Sequence, residues 1–225
     1  MKNNYCDISV VLDRSGSMDS IKDDVIGGYN AFLKGQQEMP GECTISLYQF
    51  DDIYEAVYEG KDVKSAPLLT RNTYMPRNST ALLDAIGKTI NKTGDRLSKI
   101  NEKNRPSKVL FVIQTDGMEN ASQEFDRNKI SEMIKHQKEK YNWEFVYLGA
   151  NQDAIATAAS FGIGRNATLN FASTSFGAAA SYLAVSGATC AYRSASNSSA
   201  FSFSDEDRKI NDNLINQTNV STTIK

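Results

Sequence analysis

Apolar residues along the chain change their spacing in a regular way. The continuous apolar run at residues 8–12 is typical of a strand that is buried on both faces. Directly after it, Ile21, Val25, Tyr29 and Phe32 recur with the spacing of one helix face. Strand-like and helix-like segments go on alternating as far as residue 186. This pattern predicts a three-layer, doubly wound α/β fold whose mostly parallel sheet is covered by helices on both faces.

The same patterns set approximate bounds for the elements. Predicted strands lie at about residues 5–12, 44–50, 53–59, 108–113, 143–148 and 167–171. Predicted helices lie at about residues 18–37, 80–100, 126–141 and 173–186, with an Ala-rich helix between Asn151 as its cap and Gly162 as its end. The turn at residues 51–52 joins two of the strands as a hairpin, and Glu55 and Glu59 mark the second of them as an antiparallel edge strand.

Length and charge narrow the class of protein. The chain has 225 residues, enough for one substantial domain with a tail, which we place at residues 1–187 and 188–225. The extension is polar, and we expect it to be partly ordered or mobile. A net charge of −2 gives no reason to expect a nucleic acid or an anionic membrane as partner. Neither a signal-peptide pattern nor a membrane-spanning apolar window is found, which predicts a cytoplasmic protein.

The first strand runs directly into the sequence Asp13-Arg14-Ser15-Gly16-Ser17. A helix is predicted to follow, so these residues lie at the carboxyl end of a strand, where open α/β sheets bind their ligands. Asp13, Ser15 and Ser17 offer one carboxylate and two hydroxyl groups within a single turn. Hard oxygen ligands of this kind suit Mg²⁺ or Mn²⁺ and are poorly suited to zinc.

This Asp-x-Ser-x-Ser motif resembles the metal-ion-dependent adhesion site of von Willebrand factor A domains. The segment at residues 79–86 resembles the family's threonine loop and contains Thr80, and the segment at residues 114–117 resembles its second aspartate loop and contains Asp116. The resemblance covers about residues 5–187. It implies a metal that the hydroxyls of Ser15, Ser17 and Thr80 contact directly. The carboxylates of Asp13 and Asp116 would hold this metal largely through water molecules.

The resemblance also implies a function. A stand-alone bacterial or phage protein of this type would be a Mg²⁺-dependent (or Mn²⁺-dependent) binding module, in which an Asp or Glu of a partner protein completes the metal shell. The residues expected on the rim of that site are Arg14, Met18, Arg77, Asn78 and Glu119. Many family members have glycines before the threonine, and here Asn78 can adopt the left-handed backbone angles instead.

Two other functions stay open at this point. Asp13 could be the nucleophile of a Mg²⁺-dependent phosphohydrolase, although Ser15 stands where haloacid-dehalogenase-like phosphatases have a second acid. The second open function is that of a structural or assembly protein that docks through its C-terminal tail. His136 is the sole histidine and falls on the polar side of its predicted helix, so histidine-based catalysis has no candidate and we expect no enzyme. The three cysteines are widely spaced, which predicts that they are free thiols packed in the protein and form no disulfide bond.

Overall fold

A computed structural model describes residues 1–150, 154–195 and 200–223. Its strands are β1 (Lys2–Asp13), β2 (Glu42–Phe50), β3 (Tyr54–Asp62), β4 (Pro106–Thr115), β5 (Glu144–Gly149) and β6 (Thr168–Asn170). Its α-helices are α1 (Lys22–Glu38), α2 (Leu82–Ser98), α3 (Arg127–Tyr141), α4 (Ala154–Ser160), α5 (Ser175–Ser194) and α6 (Asp205–Thr223). A 3₁₀ turn at Gly16–Ile21 leads into α1. Asn151, the predicted cap of α4, lies outside the described residues.

The strands form one sheet in the order β3-β2-β1-β4-β5-β6. All neighbouring pairs are parallel except β2 and β3, which form the predicted antiparallel hairpin at the edge. Because β1 pairs with β2 on one side and with β4 on the other, it lies in the interior of the sheet, and this explains its continuous apolar run. The predicted fold class is confirmed.

Helices cover both faces of this sheet. On one face α1 packs against α5 so closely that a Cβ added at Gly28 would overlap the ring of Tyr182. On the other face α2 packs against α3 and contacts β1, where the hydroxyls of Ser9 and Thr93 lie 2.9 Å apart. Successive strand residues point to opposite faces, so one strand serves both helix layers. Across the described residues, no helix combines the length and hydrophobicity that crossing a bilayer requires.

The C-terminal region differs from a simple polar tail. Helix α5 continues through residue 187, where we placed the end of the domain, and ends at Ser194. Further on, Phe201 and Phe203 are buried, and Arg208 donates to the backbone carbonyl of Thr168 at 2.9 Å. Helix α6 therefore packs against α5 and the edge strand β6. Whether residues 1–187 would fold as a unit without it stays a prediction.

Candidate metal centre

The first candidate ligand lies at the end of β1. Asp13 is fully buried, and its two carboxylate oxygens accept hydrogen bonds from the backbone N–H of Ser15 at 2.7 Å and from the hydroxyl of Thr115 at 2.5 Å. Thr115 is the last residue of β4, the parallel neighbour of β1, so both strands end at the same edge of the sheet. The carboxylate of Asp13 is thereby fixed between two loops.

The second aspartate comes directly after β4. One oxygen of Asp116 accepts a hydrogen bond of 2.6 Å from the hydroxyl of Ser17, and the hydroxyls of Ser17 and Ser15 lie 3.2 Å apart. The other oxygen of Asp116 lies 3.5 Å from the hydroxyl of Ser173, which comes from the loop before α5. The Asp13 loop and the Asp116 loop therefore meet through their side chains.

The backbone at Gly117 shows that the third loop reaches the same point. A Cβ atom added to this glycine would lie 2.9 Å from the Thr80 hydroxyl and 3.5 Å from each of the hydroxyls of Ser15 and Ser17. Three hydroxyl oxygens, from the Asp13 loop and the Thr80 loop, thus surround one small space. The Asp116 loop supplies the glycine whose missing side chain leaves that space open. The structure brings together all five residues predicted as metal ligands.

The loop that carries Thr80 is held by backbone geometry rather than by glycines. Asn78 has a φ of 55°, the left-handed region that its sequence position was expected to need. Its carbonyl accepts a hydrogen bond of 3.1 Å from the N–H of Gly16, which ties this loop to the Asp13 loop. On the other side, the Asn120 side chain accepts a hydrogen bond of 2.9 Å from the N–H of Thr80. The hydroxyl of Thr80 is therefore positioned from both neighbouring loops.

Glu119 has a different role from the rim contact that we expected. Its carboxylate accepts hydrogen bonds from the backbone N–H groups of Leu83, Ala121 and Ser122, at 2.8 to 3.0 Å. Asp84 reciprocates from the first turn of α2 and accepts from the three N–H groups of residues 123–125. These carboxylates satisfy backbone donors that would otherwise be unpaired, and they brace the Asp116 loop against α2.

Two of the other predicted rim residues lie inside the protein. The guanidinium of Arg14 is buried and pairs with Asp51 at 3.1 Å and with Glu55 at 2.6 Å, on the side facing β2 and β3. Met18 is fully buried on the inner side of the 3₁₀ turn. Neither side chain is available to a partner in this structure, which corrects our expectation for both.

The remaining rim residues, Arg77 and Asn78, are exposed at the same edge of the sheet. Each is engaged with an acid of the β2–β3 turn: Arg77 donates to Asp51 at 2.7 Å, and Asn78 donates to Asp52 at 2.9 Å. The side chain of Arg77 keeps 43% of its surface accessible. It is therefore the predicted rim arginine that a partner could reach.

The electrostatics of the site favour a cation. Burial raises the pKa of Asp13 to about 6, against hydrogen bonds from Thr115 and Ser15 that act to lower it. Burial also raises the pKa of Asp116, while hydrogen bonds from Ser17 and Ser173 oppose the shift. Within the described residues, neither aspartate takes part in an ion pair. Two desolvated carboxylates without a basic partner are an environment that a divalent cation would stabilise.

The donor set also restricts which ion would fit. In the part of the chain that the structure describes, no three His, Cys, Asp or Glu side chains cluster so that they could hold a metal by themselves. The donors at this site are two carboxylates and three hydroxyls, all of them oxygen atoms. Such a set suits the hard ions Mg²⁺ and Mn²⁺, and the residues present fit either ion.

Several contacts of this site could not be expected from the motif alone. Thr115, Asn120 and Ser173 all hydrogen-bond to the predicted ligand residues. Thr115 and Asn120 flank the Asp116 loop in sequence, and that proximity was a usable signal. Ser173 follows β6, which is distant in sequence from the Asp116 loop, and only the pairing of the strands into one sheet places it beside Asp116.

Solved structures with the same architecture come from distant proteins. The von Willebrand factor domain of the type V pili tip protein Mfa5 from Porphyromonas gingivalis matches with a TM-score of 0.60 and 10% identity, over 85% of this chain and 97% of that one. Proximal thread matrix protein 1 from the mussel byssus matches with a TM-score of 0.54 and 15% identity, over 83% of this chain and 46% of that one. The present chain thus spans about half of the mussel protein.

A third comparison involves a bound metal. The manganese-loaded TRAP protein of Plasmodium vivax matches with a TM-score of 0.54 and 19% identity, over 76% of this chain and 69% of that one. The mussel protein is also known in a form whose metal-ion-dependent adhesion site holds zinc. No family model and no curated protein matches the sequence. The structural similarities show that this chain has the fold of a von Willebrand factor A domain.

Proposed function

We propose that this protein is a metal-dependent binding module whose metal-ion-dependent adhesion site receives a carboxylate of a protein partner. The observation that carries the proposal is the space beside Gly117, which three hydroxyl groups surround at 2.9 to 3.5 Å from its virtual Cβ position. The manganese-loaded TRAP protein and the zinc-occupied adhesion site of the mussel protein support the same assignment, because both proteins share this fold.

We propose different roles for the hydroxyl and the carboxylate residues in holding the metal. The hydroxyls of Ser15, Ser17 and Thr80 would contact the ion, and Asp13 and Asp116 would orient those hydroxyls and balance its charge. Neutral oxygen ligands leave a divalent ion with unsatisfied positive charge, and this would attract an Asp or Glu side chain from outside. Mg²⁺ is the ion that we propose, with Mn²⁺ as a functional substitute.

The geometry of Asp13 supports binding rather than catalysis. A nucleophilic carboxylate needs an oxygen that can approach a substrate, but Asp13 is fully buried and both of its oxygens accept hydrogen bonds from Ser15 and Thr115. Thr115, the last residue of β4, donates its hydroxyl to one of these oxygens at 2.5 Å and so occupies the position that a substrate would need. We therefore propose an orienting role for Asp13 and no phosphohydrolase activity.

The alternative of docking through the C-terminal tail finds less support. Phe201 is fully buried and α6 packs against α5 and β6, so this region is used to complete the domain itself. Its exposed acidic first turn, at residues 205–207, remains open to solvent. The metal site, by contrast, has several side chains arranged around a space that none of them fills.

The decisive experiment is titration calorimetry with MgCl₂ on the wild type and on Gly117→Ala. The added methyl group would enter the space among the hydroxyls, while the charge and all five ligand residues stay unchanged. We expect Mg²⁺ binding to be lost in this variant. Gly94→Ala is the matched control, because a Cβ at Gly94 meets nothing within 4 Å, and this variant should bind as the wild type does. Unchanged Mg²⁺ binding by Gly117→Ala would contradict the proposed site.

A second experiment tests the partner. The wild type and Gly117→Ala would be immobilised and exposed to host extract in Mg²⁺ and in EDTA. We expect a protein that is retained by the wild type in Mg²⁺ and released by EDTA, and that Gly117→Ala does not retain. A partner retained equally under all of these conditions would show that docking does not use the metal.

A further inference from the structure

Large exposed apolar side chains are concentrated around the candidate metal centre. Among the described residues, six large apolar side chains are more than half exposed, and four of them lie at the edge of the sheet where β1 and β4 end. These four are Ile53 (53% exposed), Met75 (54%), Met118 (74%) and Phe176 (79%). Single exposed apolar residues are normal on a protein surface, but a group of them around one site indicates an interaction surface. We call these four residues the apolar rim.

Met118 directly follows the glycine of the candidate site. The space that three hydroxyl groups surround lies at the missing side chain of Gly117, one residue before it. Two residues after it, the backbone N–H of Asn120 donates to the carbonyl of Thr80 at 3.1 Å. Met118 is therefore held between two contacts with the Thr80 loop, while its side chain is largely in solvent.

Met75 is held against the Asp13 loop in a similar way. The hydroxyl of Tyr74, the residue before it, donates to the backbone carbonyl of Asp13 at 2.7 Å. Two residues after it, the backbone N–H of Arg77 donates to the carbonyl of Arg14 at 2.8 Å. These bonds fix Met75 beside the loop that supplies most of the proposed ligands.

Ile53 and Phe176 lie on opposite sides of the metal centre. Ile53 is in the turn that follows β2. Phe176 is in the first turn of α5, three residues after Ser173, whose hydroxyl lies 3.5 Å from the carboxylate of Asp116. In the strand order β3-β2-β1-β4-β5-β6, the two strands that lead into the ligand loops lie between β2 and β6. The apolar rim therefore flanks the metal centre on both sides along the edge of the sheet.

The charges at this edge do not favour a strongly acidic partner. Arg14 is buried, and Arg77 already pairs with Asp51 at 2.7 Å. Asp19 and Asp52 are exposed in the neighbouring loops. Further acids on a partner would meet these like charges, whereas one carboxylate at the metal would have its countercharge there.

We infer, on the basis of the function proposed above, that the apolar rim selects a partner segment in which one Asp or Glu is flanked by large apolar side chains. The carboxylate would bind the metal, and its neighbours would pack against the rim. Apolar contacts around a charged contact exclude water, which strengthens the attraction between the metal and the carboxylate. The flexible side chains of Met75 and Met118 suit apolar groups of different shapes.

Peptide display on the full chain tests this inference. A phage library of peptides with a central Asp or Glu and varied residues on both sides is bound to the immobilised wild type in Mg²⁺ and eluted with EDTA. We expect the eluted peptides to be enriched in large apolar residues beside the acid. Elution by EDTA without this enrichment would overturn the inference and leave the proposed function intact. If EDTA released no peptide, the proposed function would fail and the inference with it.

Variants of the rim separate partner selection from metal binding. Met75→Ser and Met118→Ser should each weaken binding of the selected peptides by about tenfold, because an apolar contact is lost. Both variants should keep the Mg²⁺ affinity of the wild type in calorimetry, since neither residue supplies a ligand. Leu183→Ser is the matched control, because Leu183 is 70% exposed on α5 outside the rim, and it should bind the peptides as the wild type does. Peptide binding at the wild-type level by both rim variants would contradict the inference.

Discussion

Two pairs of aspartates in this protein have opposite electrostatic surroundings; Asp7, Asp51 and Asp13 are fully buried, and Asp116 is partly buried. The carboxylate of Asp7 accepts two hydrogen bonds from Arg96, at 2.7 and 2.9 Å, and Asp51 accepts from Arg14 at 3.1 Å and from Arg77 at 2.7 Å. Burial acts to raise the pKa of Asp51, but the hydrogen bond from Arg77 and the charge of Arg14 bring it below its usual value. Each of these acids has its countercharge within the chain.

Asp13 and Asp116 have no such countercharge among the residues that the structure describes. Their pKa values are raised by burial, although Arg14 follows Asp13 directly in the sequence and turns away towards Asp51. An uncompensated carboxylate that is removed from water destabilises a fold. The fully buried Asp13 beside the partly buried Asp116 is therefore expected where a cation is supplied from outside. This difference in countercharge is what we expect between a structural ion pair and the metal site proposed above.

The largest effect is expected where a structural pair is broken. Arg96→Met would leave the fully buried Asp7 without its partner, and we expect a loss of about 3–5 kcal/mol in the free energy of unfolding, measured by urea denaturation. Changing Asp7 to Asn in the same protein should recover part of this loss, because the uncompensated charge is then removed. A loss below about 1 kcal/mol would mean that Asp7 is not dependent on its arginine.

The second effect concerns the pH dependence of the metal-free protein. The pKa of Asp13 is about 6 in the fold and near 3.8 in the unfolded chain, so folding favours the protonated form. In EDTA, the contribution of Asp13 to the free energy of unfolding should be greatest below about pH 4, and it should fall by roughly 3 kcal/mol as the pH rises from about 4 to above 6. Asp13→Asn should lack this part of the pH profile. An identical profile in both proteins would show that Asp13 is not the group responsible.

A smaller effect should follow from adding the metal. At a concentration one hundred times its dissociation constant, Mg²⁺ should stabilise the wild type by about 2.7 kcal/mol, because it binds the folded state only. Ser17→Ala removes a hydroxyl that donates to Asp116 and should reduce this gain. Ser20→Ala is the control from the same turn, since its hydroxyl donates only to the backbone carbonyl of Ser17. Equal stabilisation of both variants would argue against Ser17 as a ligand.

The smallest effect is expected at an exposed ion pair. Lys92 and Glu59 lie 2.7 Å apart with 45% and 35% of their side-chain surfaces accessible. Lys92→Ala should therefore change the free energy of unfolding by less than about 1 kcal/mol, and added salt should reduce even this difference. If Lys92→Ala destabilised the protein as much as Arg96→Met, burial would not explain why one ion pair contributes more to stability than the other.

The order of strands and helices could be predicted from the sequence because apolar spacing depends on local geometry. The predicted strand at residues 108–113 is the inner part of β4, and the predicted helix at residues 126–141 matches α3 within one residue. That the five residues predicted as metal ligands lie close together could likewise be expected from the motifs, since their loops join strands to helices at the same end of the sheet. Their role as ligands stays a prediction. These signals need no knowledge of how distant segments pack.

The rim could not be predicted in the same way. Arg14 and Met18 were expected at the surface because they neighbour the motif. The direction of the Arg14 side chain depends on Asp51 in the β2–β3 turn, and that of Met18 depends on the core beneath the 3₁₀ turn. The exposure of Phe176 and Leu183 is also a tertiary property. Their spacing within an Ala-rich helix is equally consistent with a buried face, and only the packing of α5 against the sheet and α6 decides which side remains outside.

The direction of α5 has a consequence for how the protein could act on other molecules. The helix starts beside Asp116, where Ser173 lies next to the candidate metal loops, and it runs from there towards the amino-terminal ends of the strands, where its last turn accepts from Lys108. A partner that placed a carboxylate at the proposed site would therefore meet only the first turn of α5. The rest of this helix would stay out of that partner's reach.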